Sequence, residues 1–173
     1  MSSKISHNIK KRTTPKDVFI TPLILAKRHI DMIDYMDTDI WFDPFKNSGN
    51  YFNQFPNDNK EWTEILEGRD FLEFNKPVDI ICSNPPYSII DIVFKKCREL
   101  KPRVISMLIG QGNLTTRRIE MMNDEGYGLY KLRMLKVQKW YGMSYIVHFE
   151  KDKPNCIEID RQVYYEDCNQ IIN

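Results

Sequence analysis

Val78-Asp79-Ile80-Ile81-Cys82-Ser83-Asn84-Pro85-Pro86-Tyr87 joins an apolar run to a rigid turn. Residues 78–82 have the apolar character of a strand buried on both faces, and an amphipathic segment follows from Ser88. Asn84 is therefore expected at the carboxyl end of a central strand, where open α/β sheets hold their ligands. Two consecutive prolines fix φ and remove two N–H donors, which makes the turn stiff. The Asn84 side-chain oxygen and the Pro85 carbonyl then become two acceptors at a fixed separation. Such a pair suits a planar NH2 group: it holds both protons, pulls the nitrogen toward tetrahedral geometry and localises the lone pair. Tyr87 adds a ring able to stack on the target plane. A strand that merely ends in a Pro-Pro turn is the plainer reading of the same residues.

Upstream, Asp39-Ile40-Trp41-Phe42-Asp43 reads as a short strand running into Pro44-Phe45-Lys46-Asn47-Ser48-Gly49, a small-residue turn that opens a helix. Strand, tight turn and helix together let a ligand approach the backbone closely. Thr21-Pro22 reads as an N-cap and first-turn proline for a helix over residues 22–36. Residues 62–68 suggest a second strand closed by Gly68, and Asp70-Phe71 sets an acid beside a ring ahead of the central strand. Downstream, the periodicity predicts a helix over 88–100, a buried strand over 103–109 and a helix over 115–125 carrying Arg117 and Arg118. Two β-rich segments, 130–140 and 144–149, flank Tyr141-Gly142-Met143 as a hairpin with a glycine turn. Segments 156–159 and 163–165 are expected to add a short strand or to pack along an edge.

The 173 residues fit one domain with a real core. Residues 1–16 form a polar basic arm that includes Lys11 and Arg12, two candidate phosphate contacts, and residues 17–173 form the domain. A net charge of +1 removes any global electrostatic signature of nucleic-acid binding, so such a role must rest on local patches. Cys82, Cys97, Cys156 and Cys168 have no CxxC spacing and read as reduced thiols, and the three histidines form no ligand pattern. No metal is expected. No apolar run reaches membrane-spanning length and no signal-peptide core is evident, so the expected location is cytoplasmic, or nuclear in a host with a nucleus.

Taken in order, Thr21-Pro22, Asp43-Pro44-Phe45-x-x-x-Gly49, Asp70-Phe71 and Asn84-Pro85-Pro86-Tyr87 resemble the S-adenosylmethionine-dependent amino-methyltransferases, most closely the DNA adenine-N6 group. The resemblance covers residues 17–150. It implies a Rossmann-like α/β fold: a mostly parallel central sheet with helices on both faces and a C-terminal β-hairpin. It also implies roles residue by residue. Phe19, Thr21 and Pro22 wrap the methionine end of S-adenosylmethionine, Asp43 takes its amino group, and Phe45, Asn47 and Gly49 shape the loop. Glu64 is the candidate for the ribose hydroxyls, and Asp70 with Phe71 for the adenine. Asn84, Pro85, Pro86 and Tyr87 form the catalytic turn, and Trp140 and Tyr141 stand against an extruded base. Asn47 replaces a glycine of the family loop, tolerable because Asn accepts left-handed backbone more readily than other residues with a Cβ.

The implied activity is methyl transfer to the N6 amine of adenine in DNA. The same chemistry on RNA adenine, cytosine N4 or protein glutamine, or a non-catalytic subunit of this fold, are the alternatives. Only 84 − 43 = 41 positions separate Asp43 from Asn84, which leaves no space there for a target-recognition domain. A monomer or homodimer is expected, or a partner that supplies target recognition.

Overall fold

The computed structural model describes residues 19–138 and 140–160. Helix α1 (Leu23–Ile30) leads into β1 (Trp41–Asp43), β2 (Lys60–Trp62) and β3 (Ile80–Ser83). Then come α2 (Ile90–Glu99), β4 (Val104–Gly110), α3 (Thr116–Asn123), β5 (Tyr127–Leu135) and β6 (Ser144–Lys151). The strands make one six-stranded sheet in the order β2-β1-β3-β4-β6-β5. The four strands from β2 to β4 are parallel, and β6 runs antiparallel to both β4 and β5. This is the α/β architecture expected, with β5 and β6 as the C-terminal hairpin.

Successive side chains on a strand point to opposite faces, and both faces here are covered. Trp41, Ile80, Cys82 and Val104 pack with Ala26 and Ile30 of α1 and with Tyr51 and Phe55. Phe42, Ile81, Ile105, Met107 and Phe149 pack with Val93, Phe94 and Cys97 of α2 and Ile119 and Met122 of α3. Burial on both sides explains why β4 reads Val-Ile-Ser-Met-Leu-Ile with no alternation. Cys82 and Cys97 are buried free thiols inside these layers, and Cys156 is free and exposed.

Four expectations need correction. Helix α1 ends at Ile30 rather than near residue 36. Past Ile30 the ladder tightens to i→i−3 bonds, Met32 N–H to the His29 carbonyl at 3.1 Å and Ile33 N–H to the Ile30 carbonyl at 3.0 Å, and the helix stops. Thr21 is not the N-cap; Pro22 holds that position and no side chain caps the helix. No α-helix follows the 44–49 turn, only one 3-10 turn, Phe52–Gln54. Pro56 forces Phe55 into extended backbone and leaves too few residues for a helix. Strand β2 shares only Trp62 with the expected 62–68 segment, because the Glu64 carboxylate accepts Leu66 N–H at 3.1 Å and starts a 3-10 turn closed by Gly68 at φ 78°.

Past β6 the chain returns along the outer edge of β5. Cys156 N–H donates to the Leu129 carbonyl at 2.8 Å, and Asn155 Oδ1 accepts Leu129 N–H at 2.8 Å. A Cβ on Gly128 would stand 1.9 Å from the Lys153 carbonyl oxygen, so only glycine admits this approach. The 156–159 segment therefore packs along an edge, and 163–165 lies outside the described residues. The strand order reverses between β1 and β3, which puts their carboxyl ends at the topological switch point.

Candidate active site

Strand β1 ends at Asp43 and β3 at Ser83, and the two ends are tied together. Ser83 Oγ donates to Asp43 Oδ1 at 2.6 Å, and Phe45 N–H reaches the same oxygen at 3.2 Å. Asp43 is completely buried, and burial pushes its carboxyl up to about 7, against the pull of the Ser83 hydroxyl. Its Oδ2 has no partner.

The loop after β1 folds as Asn47 and Gly49 both take left-handed backbone, φ 44° and 82°. Asn47 thus does what its replacement of glycine requires. Its N–H donates to Glu64 Oε2 at 2.9 Å, which ties the β1 loop to the turn after β2. Gly49 takes backbone that a side chain disfavours, and a Cβ there would stand 2.8 Å from Asn53 Nδ2, which would have to shift.

The Asn84 turn is held from the other side by the segment before α1. Asn84 Nδ2 donates to the Phe19 carbonyl at 3.3 Å and to Thr21 Oγ1 at 3.2 Å. The hydroxyl freed from capping α1 thus serves the turn, and the Thr21 carbonyl is itself gripped by Asn50 Nδ2 at 2.7 Å. With both donations made by nitrogen, Asn84 Oδ1 is left buried and without a partner. Tyr87 Oη is also buried and unpartnered, and burial raises its hydroxyl to about 12. The Tyr87 ring lies near-parallel to Phe19, centroids 6.5 Å apart at 17°. Trp140 meets Phe19 edge-on at 5.6 Å.

These groups wall a cavity of about 300 Å³. Of the expected residues, Phe19, Thr21, Phe45, Asn47, Glu64, Asp70, Phe71, Asn84, Pro85, Pro86 and Tyr87 line it. Asp43 and Gly49 lie behind the wall, and Pro22 sits at the start of α1 outside it. Trp140 joins through Phe19, whereas Tyr141 is wholly exposed. Arg118 is engaged with Asp91 at 2.7 Å and the Asn113 carbonyl at 2.8 Å, and Arg117 is exposed. Lys11 and Arg12 lie outside the described residues.

Sequence reasoning missed Ser83, Tyr51, Asn50, Ile65 and Leu66. Ser83 was legible as the polar residue ending an apolar strand, and it meets the buried acid that ends the neighbouring strand. The others reach the site through loop packing, for which spacing gives no cue. Among the described residues no cluster of His, Cys, Asp or Glu can hold a metal ion, and no helix is long and apolar enough to cross a membrane.

No protein-family model and no curated protein sequence matches the chain. Solved structures do. PH1948 from Pyrococcus horikoshii, a candidate RNA methyltransferase, matches at TM-score 0.61 with 16% identity, over 84% of this chain and 96% of that one. A chain of the E. cuniculi Mtq2–Trm112 complex, responsible for methylating the termination factor eRF1, matches at 0.58 with 20% identity, over 78% and 99%. Magnesium protoporphyrin IX methyltransferase from Synechocystis PCC 6803, solved with S-adenosylmethionine bound, matches at 0.57 with 8% identity, over 85% and 80%. At such identities the likeness is one of architecture: the chain has the Rossmann-like methyltransferase fold.

Proposed function

We propose that this chain transfers a methyl group from S-adenosylmethionine to a planar exocyclic amine, the N6 of adenine in DNA. The observation that carries this reading is Asn84 Oδ1, a buried acceptor without a partner in a double-proline turn on the cavity wall. A buried acceptor left unfilled costs stability, and a target N–H would fill it.

The cavity residues fit the cofactor. Glu64, already polarised by two backbone N–H groups, is placed for ribose hydroxyls. Asp70 and Phe71 suit an adenine, the first as an acceptor for its amine and the second as a ring beside its plane, with Leu66 across the same part of the wall. Asp43 backs the loop where an ammonium would sit. When bound, S-adenosylmethionine supplies a methyl group already activated by the sulfonium charge. Asn84 accepts an N–H of the target, localises the nitrogen lone pair and aligns it for attack. Phe19, Tyr87 and Trp140 give a flat target an aromatic wall. A base in duplex DNA would first leave the stack, a cost that a single strand does not carry.

One observation favours a second reading, methylation of a protein glutamine. The match covers 99% of the chain it aligns with in the complex that methylates eRF1. Asn47 takes the left-handed backbone that its place in the loop requires, which supports the catalytic reading over a non-catalytic subunit.

Tritiated S-adenosylmethionine incubated with the protein and duplex DNA, single-stranded DNA, RNA or bulk cell protein tests the proposal. Label recovered as N6-methyladenine from DNA is expected. Label confined to RNA or protein would move the activity to that acceptor, and no label with no cofactor binding would leave a non-catalytic subunit.

A further inference from the structure

Three side-chain amides grip one strip of backbone that leads into α1. The Phe19 carbonyl accepts from Asn84 Nδ2 at 3.3 Å, the Thr21 carbonyl from Asn50 Nδ2 at 2.7 Å, and the Leu23 carbonyl from Gln54 Nε2 at 3.1 Å. Gln54 Nε2 also donates to the Asn50 carbonyl at 2.6 Å, so Gln54 braces Asn50 as well as the strip. A backbone carbonyl can only accept. Each amide must therefore turn its nitrogen toward the strip, and chemistry fixes all three orientations.

The two sides of this grip come from different parts of the site. Asn84 follows β3, whereas Asn50 and Gln54 continue the loop after β1, where Asn53 N–H donates to the Gly49 carbonyl at 2.9 Å. That turn is anchored in the core by Tyr51 and by Phe55, whose ring lies 5.0 Å from that of Trp41. The strip has little apolar anchorage of its own: Phe19, Ile20 and Leu23 are 47%, 57% and 60% exposed. A segment with few buried apolar contacts opens easily unless its polar bonds hold it. Thr21 is the buried exception, and it works in both directions. Its hydroxyl accepts from Asn84 Nδ2 at 3.2 Å while its carbonyl accepts from Asn50.

We propose that Asn50, braced by Gln54, is a positioning residue: it seats Thr21 so that the Asn84 amide keeps both N–H groups on the strip and its oxygen free for the target amine. The consequence for the target rests on the function proposed above; the seating itself does not. Asn50 acts on Asn84 through Thr21, and so ties the loop expected to hold the cofactor to the turn expected to hold the target. With Asn50 released, the strip moves off and the Asn84 N–H groups lose their fixed acceptors.

The test uses the full chain labelled with 15N-asparagine and follows hydrogen exchange of the Asn84 side-chain amide, assigned by its loss in Asn84→Asp. Asn50→Ala is expected to speed that exchange about tenfold, the equivalent of one lost hydrogen bond. Asn53→Ala, on the same turn but outside the grip, is expected to leave it unchanged. Unchanged exchange in Asn50→Ala, or equal acceleration in both variants, would overturn the seating. With an acceptor in hand, a double-mutant cycle reads the link to catalysis at saturating cofactor. Asn50→Ala is expected to lower kcat about tenfold in the wild-type chain and no further in Asn84→Ala. Equal losses in the two backgrounds, or a loss confined to the cofactor KM, would make Asn50 an ordinary wall residue and overturn the proposal. If the wild-type protein methylates nothing, the proposed function fails and the amide exchange still decides the seating.

Discussion

Strands β1 and β2 contribute three residues each and β3 four, whereas β4, β5 and β6 contribute seven, nine and eight. The short parallel strands stop early and pass into 3-10 turns, and their ends carry Asp43 Oδ2, Asn84 Oδ1 and Tyr87 Oη without partners. The long strands close a hairpin and pack with α2 and α3 in the larger core cluster. They have unpartnered atoms too, Arg103 Nε and His148 Nδ1, but these lie away from the cavity that Asn84 and Tyr87 line. The difference teaches where this molecule keeps its stability and where it gives some up. Sites that must receive a ligand are built from groups that are costly to leave unfilled.

If that division is right, the largest loss of stability comes from the core half. Phe94 is almost fully buried and meets Phe149 edge-on at 5.8 Å. Phe94→Ala is expected to cost about 3–5 kcal/mol, read from urea unfolding. A loss below about 1 kcal/mol, typical of surface changes, would break the contrast.

His29 gives the next effect, as a dependence on pH. Burial, with His148 and Arg133 nearby, lowers the folded-state value to about 3, while the unfolded chain protonates near 6.5. Above 6.5 both states are neutral and the stability is fully present. As pH falls from 6.5 toward 3 only the unfolded chain gains the proton, so stability declines by up to about 1.4 kcal/mol per pH unit. His148, also held low by burial, adds to the same trend. The difference between wild type and His29→Gln isolates the His29 part, and parallel pH profiles would contradict it.

Gly49→Ala probes the ligand half. A φ of 82° and the 2.8 Å approach of Asn53 predict a loss of about 1–2 kcal/mol, together with weaker cofactor binding by calorimetry. Unchanged stability would mean that the loop is softer than its geometry implies. Smallest of all is Tyr87→Phe. It removes a buried hydroxyl that bonds to nothing, so stability should hold or rise by up to about 1 kcal/mol. A clear loss in thermal unfolding would show that the hydroxyl is satisfied after all.

The same division governs what could be read from the residues alone. Runs such as 103–109 announce buried strands because sheet packing acts on every residue, and the expected bounds fell within one residue of Val104–Gly110. The chain between Asp43 and Ile80 obeys no period. There a single side chain decides: Glu64 capping its own turn displaced β2, and Pro56 stopped a helix. The Asn84 turn was legible because its chemistry is local to four residues. Asn50 was not, because it is an ordinary loop residue until the fold sets it beside Thr21.

The most direct measurement of the central claim is single-turnover methyl transfer by wild type and Asn84→Ala, with S-adenosylmethionine affinity determined on the same samples. On the proposed function, loss of the Asn84 acceptor should lower the rate about 10²–10³-fold and leave cofactor affinity within about threefold. Transfer by Asn84→Ala at the wild-type rate would contradict the assignment of the turn as the group that holds the target amine.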